Sequence, residues 1–323
     1  MPTHPPKPRE GAARRGGAAA ALGLTAALAA GCVSLGPPTP RATVAIPAPP
    51  RPAEVLAVDP LSADVAAYYR ALEMQRVADG LLRTDSGAGE VALSPARLEQ
   101  TYIDVALREE HPGGSGTPSV LRRWQSPVRY AVEFGATVPR AVRAKDHRDI
   151  QQLAARLAAA SGHAIDVAPQ GSTAGNFHVL VLSESERRGA GPRLRALIPG
   201  IDEGAVRLIT DMPRQTFCMV LAFSRDGSAV YSEAVAVIRA EHPDLTRLAC
   251  YHEELTQGLG LASDSTRARP SIFNDDQEFA LVTDHDLLLL RMHYDPRLTP
   301  GMTESRARPI IFSIATELLA GAS

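Results

Sequence analysis

The chain has 323 residues, 45% of them hydrophobic, and a formal charge of −2. That length supports one sizeable core or two small ones, and the near-neutral balance argues against a polyanion-binding protein, so no nucleic-acid partner is expected. No stretch reaches the roughly 20 apolar residues that a membrane-spanning helix requires.

Residues 1–32 read as a lipoprotein signal peptide. Lys7, Arg9, Arg14 and Arg15 precede the apolar run AAAALGLTAALAAGC, which ends at Cys32. A run of this length is a secretory signal, too short to cross a bilayer. LAAGC resembles a bacterial lipobox, with Ala29 at the usual leucine position and Leu28 one place further out. The resemblance implies that Cys32 is lipidated and becomes the mature N-terminus, which anchors the protein in the cell envelope. The other reading is ordinary cleavage nearby, with Cys32 incidental. Residues 33–58 hold seven prolines from Pro37 to Pro52. Such a segment favours extended polyproline II and reads as a tether at ~3.1 Å per residue. With Cys32 set aside, Cys218 and Cys250 remain. Two thiols in an oxidising compartment pair as a rule, so a Cys218–Cys250 disulfide is expected, against two buried free thiols.

A helical N-terminal segment is expected over 59–120. Val65, Tyr68, Tyr69, Leu72, Val77 and Leu81 recur at helical spacing over 62–83, with Ser62 as N-cap. Ser94 and Pro95 open a second helix over SPARLEQTYIDVALREE. HPGGSGTPS (111–119) reads as a flexible break. Residues 121–320 form the main domain. Trp124 begins a strand and belongs in the core. SPVRYAVEFG alternates as a strand, DHRDIQQLAARLAAASG is an amphipathic helix closed by Gly162, and HAIDVAP and NFHVLVLSES are further strands. Arg187 and Arg188 read as solvated. Residues 216–240 form a hairpin turning at Asp226-Gly227. Helices follow at DLTRLACYHEELTQGLG, at about 283–293 and at 309–320. Strands first and the main helix afterwards give an α+β fold.

The helix around CYHEELTQGLGLASD carries the chemistry. Leu248, Tyr251, Leu255 and Leu259 share a core face, while Glu253, Glu254 and Gln257 point broadly away from it. Gly260 suits a left-handed helix end, after which Asp264 can swing back. In the zinc-peptidase patterns HExxHxxGxxD and HExxHxxGxxH, two histidines one turn apart hold zinc and the intervening glutamate polarises water. Here Glu253 and Gln257 take the histidine places and Glu254 takes the base place, and Asp264, one residue past the third-ligand place that Ser263 occupies, is the carboxylate at hand for that role. This all-oxygen set argues against zinc and admits another divalent metal such as calcium, magnesium or manganese. The plain alternative is a solvated glutamate pair on a helix. His252 beside Glu253 offers a general acid–base without an evident nucleophile. His285 and His293 read as surface or cleft histidines, NDDQE (274–278) as a solvated turn, and PRLTPGM as a rigid loop.

EELTQ-x-LGL, SIFND and the closing YDPRL-x-PGM, with GLLRTD and LRRWQSPVRYAVEFG before them, resemble bacterial lipoprotein domains of the domain-of-unknown-function family 2927 over residues 79–305. That family in turn resembles the metzincins. The resemblance implies a zincin-like mixed sheet with an active-site-type helix and C-terminal helices. A turn at Ser271-Ile272-Phe273 would have phenylalanine in place of methionine. It implies a degenerate metzincin-like domain that lacks the zinc histidines and binds an envelope peptide or polymer. The alternatives are an active hydrolase using Glu254 as general base with an atypical metal at Glu253, Gln257 and Asp264, and a structural envelope module. Labelling with a lipid precursor checks the anchor: incorporation is expected, and Cys32→Ser is expected to abolish it, whereas an unchanged signal refutes lipidation at that residue.

Overall fold

The sheet is built from strands that are apolar on both faces. In a computed structural model, which describes residues 59–111, 114–274 and 276–321, FHVLVL and AVAVI form adjacent parallel strands. Such near-continuous apolar runs are what a parallel sheet covered on both sides requires. The signal peptide, the tether and Cys32 lie outside the described residues.

Five strands make most of the sheet: β4 (Val128–Phe134), β5 (Ile165–Val167), β6 (Phe177–Leu182), β7 (Cys218–Ser224) and β8 (Val230–Arg239). Their order is β5-β4-β6-β8-β7, and all pairings are parallel except β7 with β8. The two-residue β3 (Arg123–Trp124) runs parallel to the start of β8. The expected hairpin is present: Asp226 and Gly227 both have positive φ, at 53° and 67°, the backbone that a tight hairpin turn demands. β7 thus becomes an edge strand paired only with β8 among the described residues.

Alternate residues of β6 and β8 serve two cores. Val179, Val181, Ala236 and Ile238 face the larger, which also holds residues of α2 (Pro95–Ala106), α3 (Arg140–Ser161), α7 (Asp244–Gln257), α8 (Asp284–His293) and α9 (Glu304–Ala320). Leu180, Val235 and Val237 face the smaller, closed by α5 (Gly191–Leu197) and α6 (Glu203–Thr210). The mixed architecture agrees with an α+β domain.

Several expectations change. The first helix, α1 (Pro60–Ala78), is capped by Asp59, whose carboxylate accepts from the Leu61 N–H at 3.0 Å, and not by Ser62. Ser62 instead donates to Glu241 at 2.7 Å. The expected break after α2 holds a ladder of β1 (Arg108–His111) and β2 (Gly114–Pro118). Arg187 is buried, not solvated. It sits on the short α4 (Glu184–Arg188), where Glu184 accepts from Arg187, Arg188 and Arg239. Burial alone would raise the Glu184 carboxyl; the three guanidiniums bring it down to about 2.

A second buried ion pair ties α3 to α7. Asp146 accepts from Arg247 Nε at 2.7 Å and Nη2 at 3.2 Å, and from the Tyr251 hydroxyl at 2.9 Å. Removing one member of such a pair strands a charge in the interior. Asp146→Ala is expected to cost about 3–5 kcal/mol in denaturant unfolding; a loss below ~1 kcal/mol would show that Arg247 finds water or another partner.

Candidate functional site

α7 leaves the sheet immediately after β8 and is buried along nearly its whole circumference. Its N-terminus begins after Pro243, whose side chain offers no cap. The missing acceptor comes from another element: Glu73 on α1 takes the Thr246 N–H at 2.8 Å and the Thr246 hydroxyl at 2.7 Å. Unsatisfied carbonyls at and just beyond the other end are met by aromatic donors. Tyr130 donates to Leu255 O at 3.1 Å, the Trp124 indole to Gly258 O at 2.8 Å, and Tyr294 to Leu259 O at 3.0 Å.

The helix ends earlier than Gly260. Gly258 is the cap, and a Cβ there would lie 2.4 Å from the Phe177 ring. Gly260 makes the turn that follows, with φ of 125°, packed against His293 and the Arg122 carbonyl. That turn brings Asp264 back to the helix. Gln257 Nε2 donates to Asp264 Oδ1 at 2.8 Å, so two of the expected ligand positions do meet.

The third, Glu253, groups elsewhere with the expected base Glu254. One carboxylate oxygen from each of Glu253 and Glu254 and the Cys218 sulfur lie within 4.8 Å of one another. Cys218 and Cys250 form the expected disulfide, with a Cα–Cα distance of 5.9 Å. It fastens edge strand β7 to α7 beside Glu253. Glu254 and Gln257 are buried, so the polar residues of α7 do not form a solvated face. The sequence pattern missed this because strand β7 and the turn carrying Asp264 lie against that side.

The turn after α7 is pinned from α8. Asp286 accepts from the Ser271 hydroxyl at 2.5 Å, the Ile272 N–H at 3.1 Å and the Thr283 N–H at 2.8 Å. Phe273 is fully buried at the place where the resemblance puts methionine. Asp286 was legible in sequence as the third helical residue after the cap Thr283, a capping-box spacing. Within NDDQE, Asn274 is buried and donates to Ala268 O at 2.9 Å, while Asp276 is exposed.

The histidines differ from expectation. His285 and His293 are buried, not at the surface. His285 Nδ1 lies 3.1 Å from Pro270 O. His293 contacts the Tyr102 hydroxyl at 2.9 Å and Arg122 O at 3.0 Å. His252 accepts the Val282 N–H at 3.0 Å through Nδ1. Burial pushes His252 down to about 3, so it stays neutral and is unsuited to exchange protons near pH 7.

Glu253 lines a small pocket with a cavity volume of about 20 Å³, walled by Phe217, the Cys218–Cys250 bridge, Ile272 and Phe279. Its roof comes from the N-terminal segment. The Arg76 guanidinium lies 4.3 Å over the Phe217 ring, and its positive charge is felt by Glu253. Beyond α1, Leu82 N–H donates to Gln277 O at 3.1 Å, Arg83 N–H to Glu278 O at 2.8 Å, and Ala280 N–H to Arg83 O at 2.7 Å. Sequence periodicity gave α1 as a helix but carried no sign of what it covers.

A family model described as "Protein of unknown function (DUF2927)" matches residues 95–313. No curated protein matches the chain. The match begins at Pro95 and not at the expected residue 79, so GLLRTD and the rest of the roofing segment lie ahead of it. Among the described residues, no helix is long and apolar enough to cross a membrane.

Burial also holds His242 and His293 down to about 3. An unfolded chain takes up these protons near pH 6.5, whereas the folded chain does so only near pH 3. Stability is therefore full above pH 6.5 and falls as pH drops toward 3, by up to about 1.4 kcal/mol per pH unit for each histidine. Urea midpoints measured from pH 7 to 4 are expected to fall, with a shallower slope in His293→Asn; a flat profile would contradict burial of the neutral rings.

Proposed function

This chain belongs to the DUF2927 family of proteins of unknown function, and we propose that it is an exported envelope protein whose metzincin-like domain binds an extended peptide or polymer without cleaving it. The anchor in this reading is Cys32, at the membrane end of the proline-rich tether. One observation supports the absence of cleavage in this reading: the Gln257 amide donates to Asp264 at 2.8 Å. At these two ligand positions, an N–H dipole supplies the positive end that a cation would otherwise bring to the carboxylate. The pair is answered internally and leaves no demand for a metal at that point.

The surroundings suit an extended ligand. β7 is an edge strand with a second backbone edge turned away from β8. Such an edge recognises an extended chain through main-chain hydrogen bonds, with nearby pockets adding side-chain selectivity. Glu253 and Arg76 supply opposite charges at the adjacent pocket. The clustering of Glu253 and Glu254 within 4.8 Å favours a second reading, a hydrolase with Glu254 as general base and an atypical metal.

The disulfide-bonded protein, titrated with soluble peptidoglycan fragments and with unstructured peptides, separates these readings. Binding without turnover and substoichiometric metal are expected. Arg76→Ala and Glu253→Gln are expected to weaken binding about fivefold, equivalent to ~1 kcal/mol. Cleavage lost in Glu254→Gln would establish the hydrolase, and absence of binding to both ligand classes would end the binding reading.

A further inference from the structure

The all-oxygen donor set read from the sequence omits two sulfurs that the fold places beside it. Cys218 arrives on β7 and Cys250 on α7, three residues before Glu253. The Cys218 sulfur and one oxygen each from Glu253 and Glu254 lie mutually within 4.8 Å. The Cys250 sulfur is bonded to that of Cys218 and so adjoins the same space. Donor atoms around a tetrahedral zinc ion sit about 3.5 Å apart. The observed separations are within reach of small side-chain rotations. Both sulfurs and Glu253 belong to residues lining the same pocket, which gives an ion a path in, while Glu254 is buried behind it.

While the sulfurs are bonded to each other they are poor ligands, because a metal needs thiolates. We propose that Cys218, Cys250, Glu253 and Glu254 form a zinc-type metal site that is closed by the disulfide and opened by a dithiol reductant. In the opening step the dithiol gives two electrons and two protons to the Cys218–Cys250 bond. That bond breaks, two thiols form, and the reductant leaves as its own disulfide. Metal entry then displaces a proton from each thiol and yields two thiolate and two carboxylate donors. This set suits zinc, unlike the oxygen-only set of Glu253, Gln257 and Asp264. The Arg76 charge acts on Glu253 from α1 and opposes an incoming cation. The site is independent of whether the β7 edge binds a polymer.

Cobalt(II) is the probe, added to the full-length protein before and after reduction with a phosphine. One cobalt per chain, with thiolate-to-metal charge-transfer absorption, is expected only after reduction. Glu253→Gln and Glu254→Gln are each expected to weaken the reduced form's affinity at least tenfold, and Arg76→Ala to strengthen it. Dependence on both glutamates distinguishes this site from binding at Cys32. Circular dichroism reports the fold throughout. If reduction unfolds the wild type, Cys250→Ala frees the Cys218 thiol without a reductant, and the same glutamate-dependent band is expected there. A folded chain without the band, a band indifferent to both glutamates, or loss of the fold in both forms overturns the proposal.

Discussion

A helix buried on nearly every side must have its polar groups answered from within the protein, and α7 is such a helix. Each uncapped backbone group would cost on the order of 1–3 kcal/mol. The rest of the domain is arranged to prevent that loss. Glu73 reaches from α1 to the first turn, and Trp124, Tyr130 and Tyr294 meet carbonyls around and beyond the last. Arg247 and Tyr251 share Asp146 on α3. These donors and acceptors come from strands, helices and loops distant in sequence, so the position of α7 is fixed by many remote parts of the chain.

The same requirement shapes the site. Gln257 and Asp264 satisfy each other across the Gly260 turn, and Asp286 holds the following turn from α8. Buried histidines that look reactive in sequence are neutral and used as hydrogen-bonding links. The disulfide joins the edge strand to the helix at the point where two carboxylates converge. In the proposed metal site, oxidation state decides which donors are available there, while Gln257 and Asp264 one turn further along satisfy each other.

The N-terminal segment makes this architecture more than a helix on a sheet. α1 caps α7, places Arg76 over Phe217, and is followed by backbone that pairs with residues 277–280. The matched family region begins after this segment, at residue 95. The pocket beside Glu253 thus has walls from inside the family domain and a roof from outside it.

Local pattern was enough for the strands of the main sheet and the long helices, though not for the β1–β2 ladder. FHVLVL and AVAVI are apolar at successive positions, Asp226-Gly227 permits the positive φ of a hairpin, and Ser94-Pro95 opens α2 with an oxygen cap and no wasted N–H. Spacing also foretold the return of Asp264 toward α7, and the two cysteines left once Cys32 is set aside foretold the Cys218–Cys250 pairing. It misjudged Arg187, His285, His293 and Glu254 as polar residues for solvent or cleft, because charge and hydrogen-bonding capacity say nothing about which neighbours answer them. The short α4, α5 and α6 were passed over because helices of 5, 7 and 8 residues carry too few turns for a period to emerge. Sequence determined the secondary elements and the chemical inventory of α7, since both depend on residues close along the chain. Tertiary structure alone decided that α7 is enclosed, that its carboxylates meet sulfur, and that α1 covers the pocket, since burial and pairing arise between segments whose separation in sequence carries no record of their proximity.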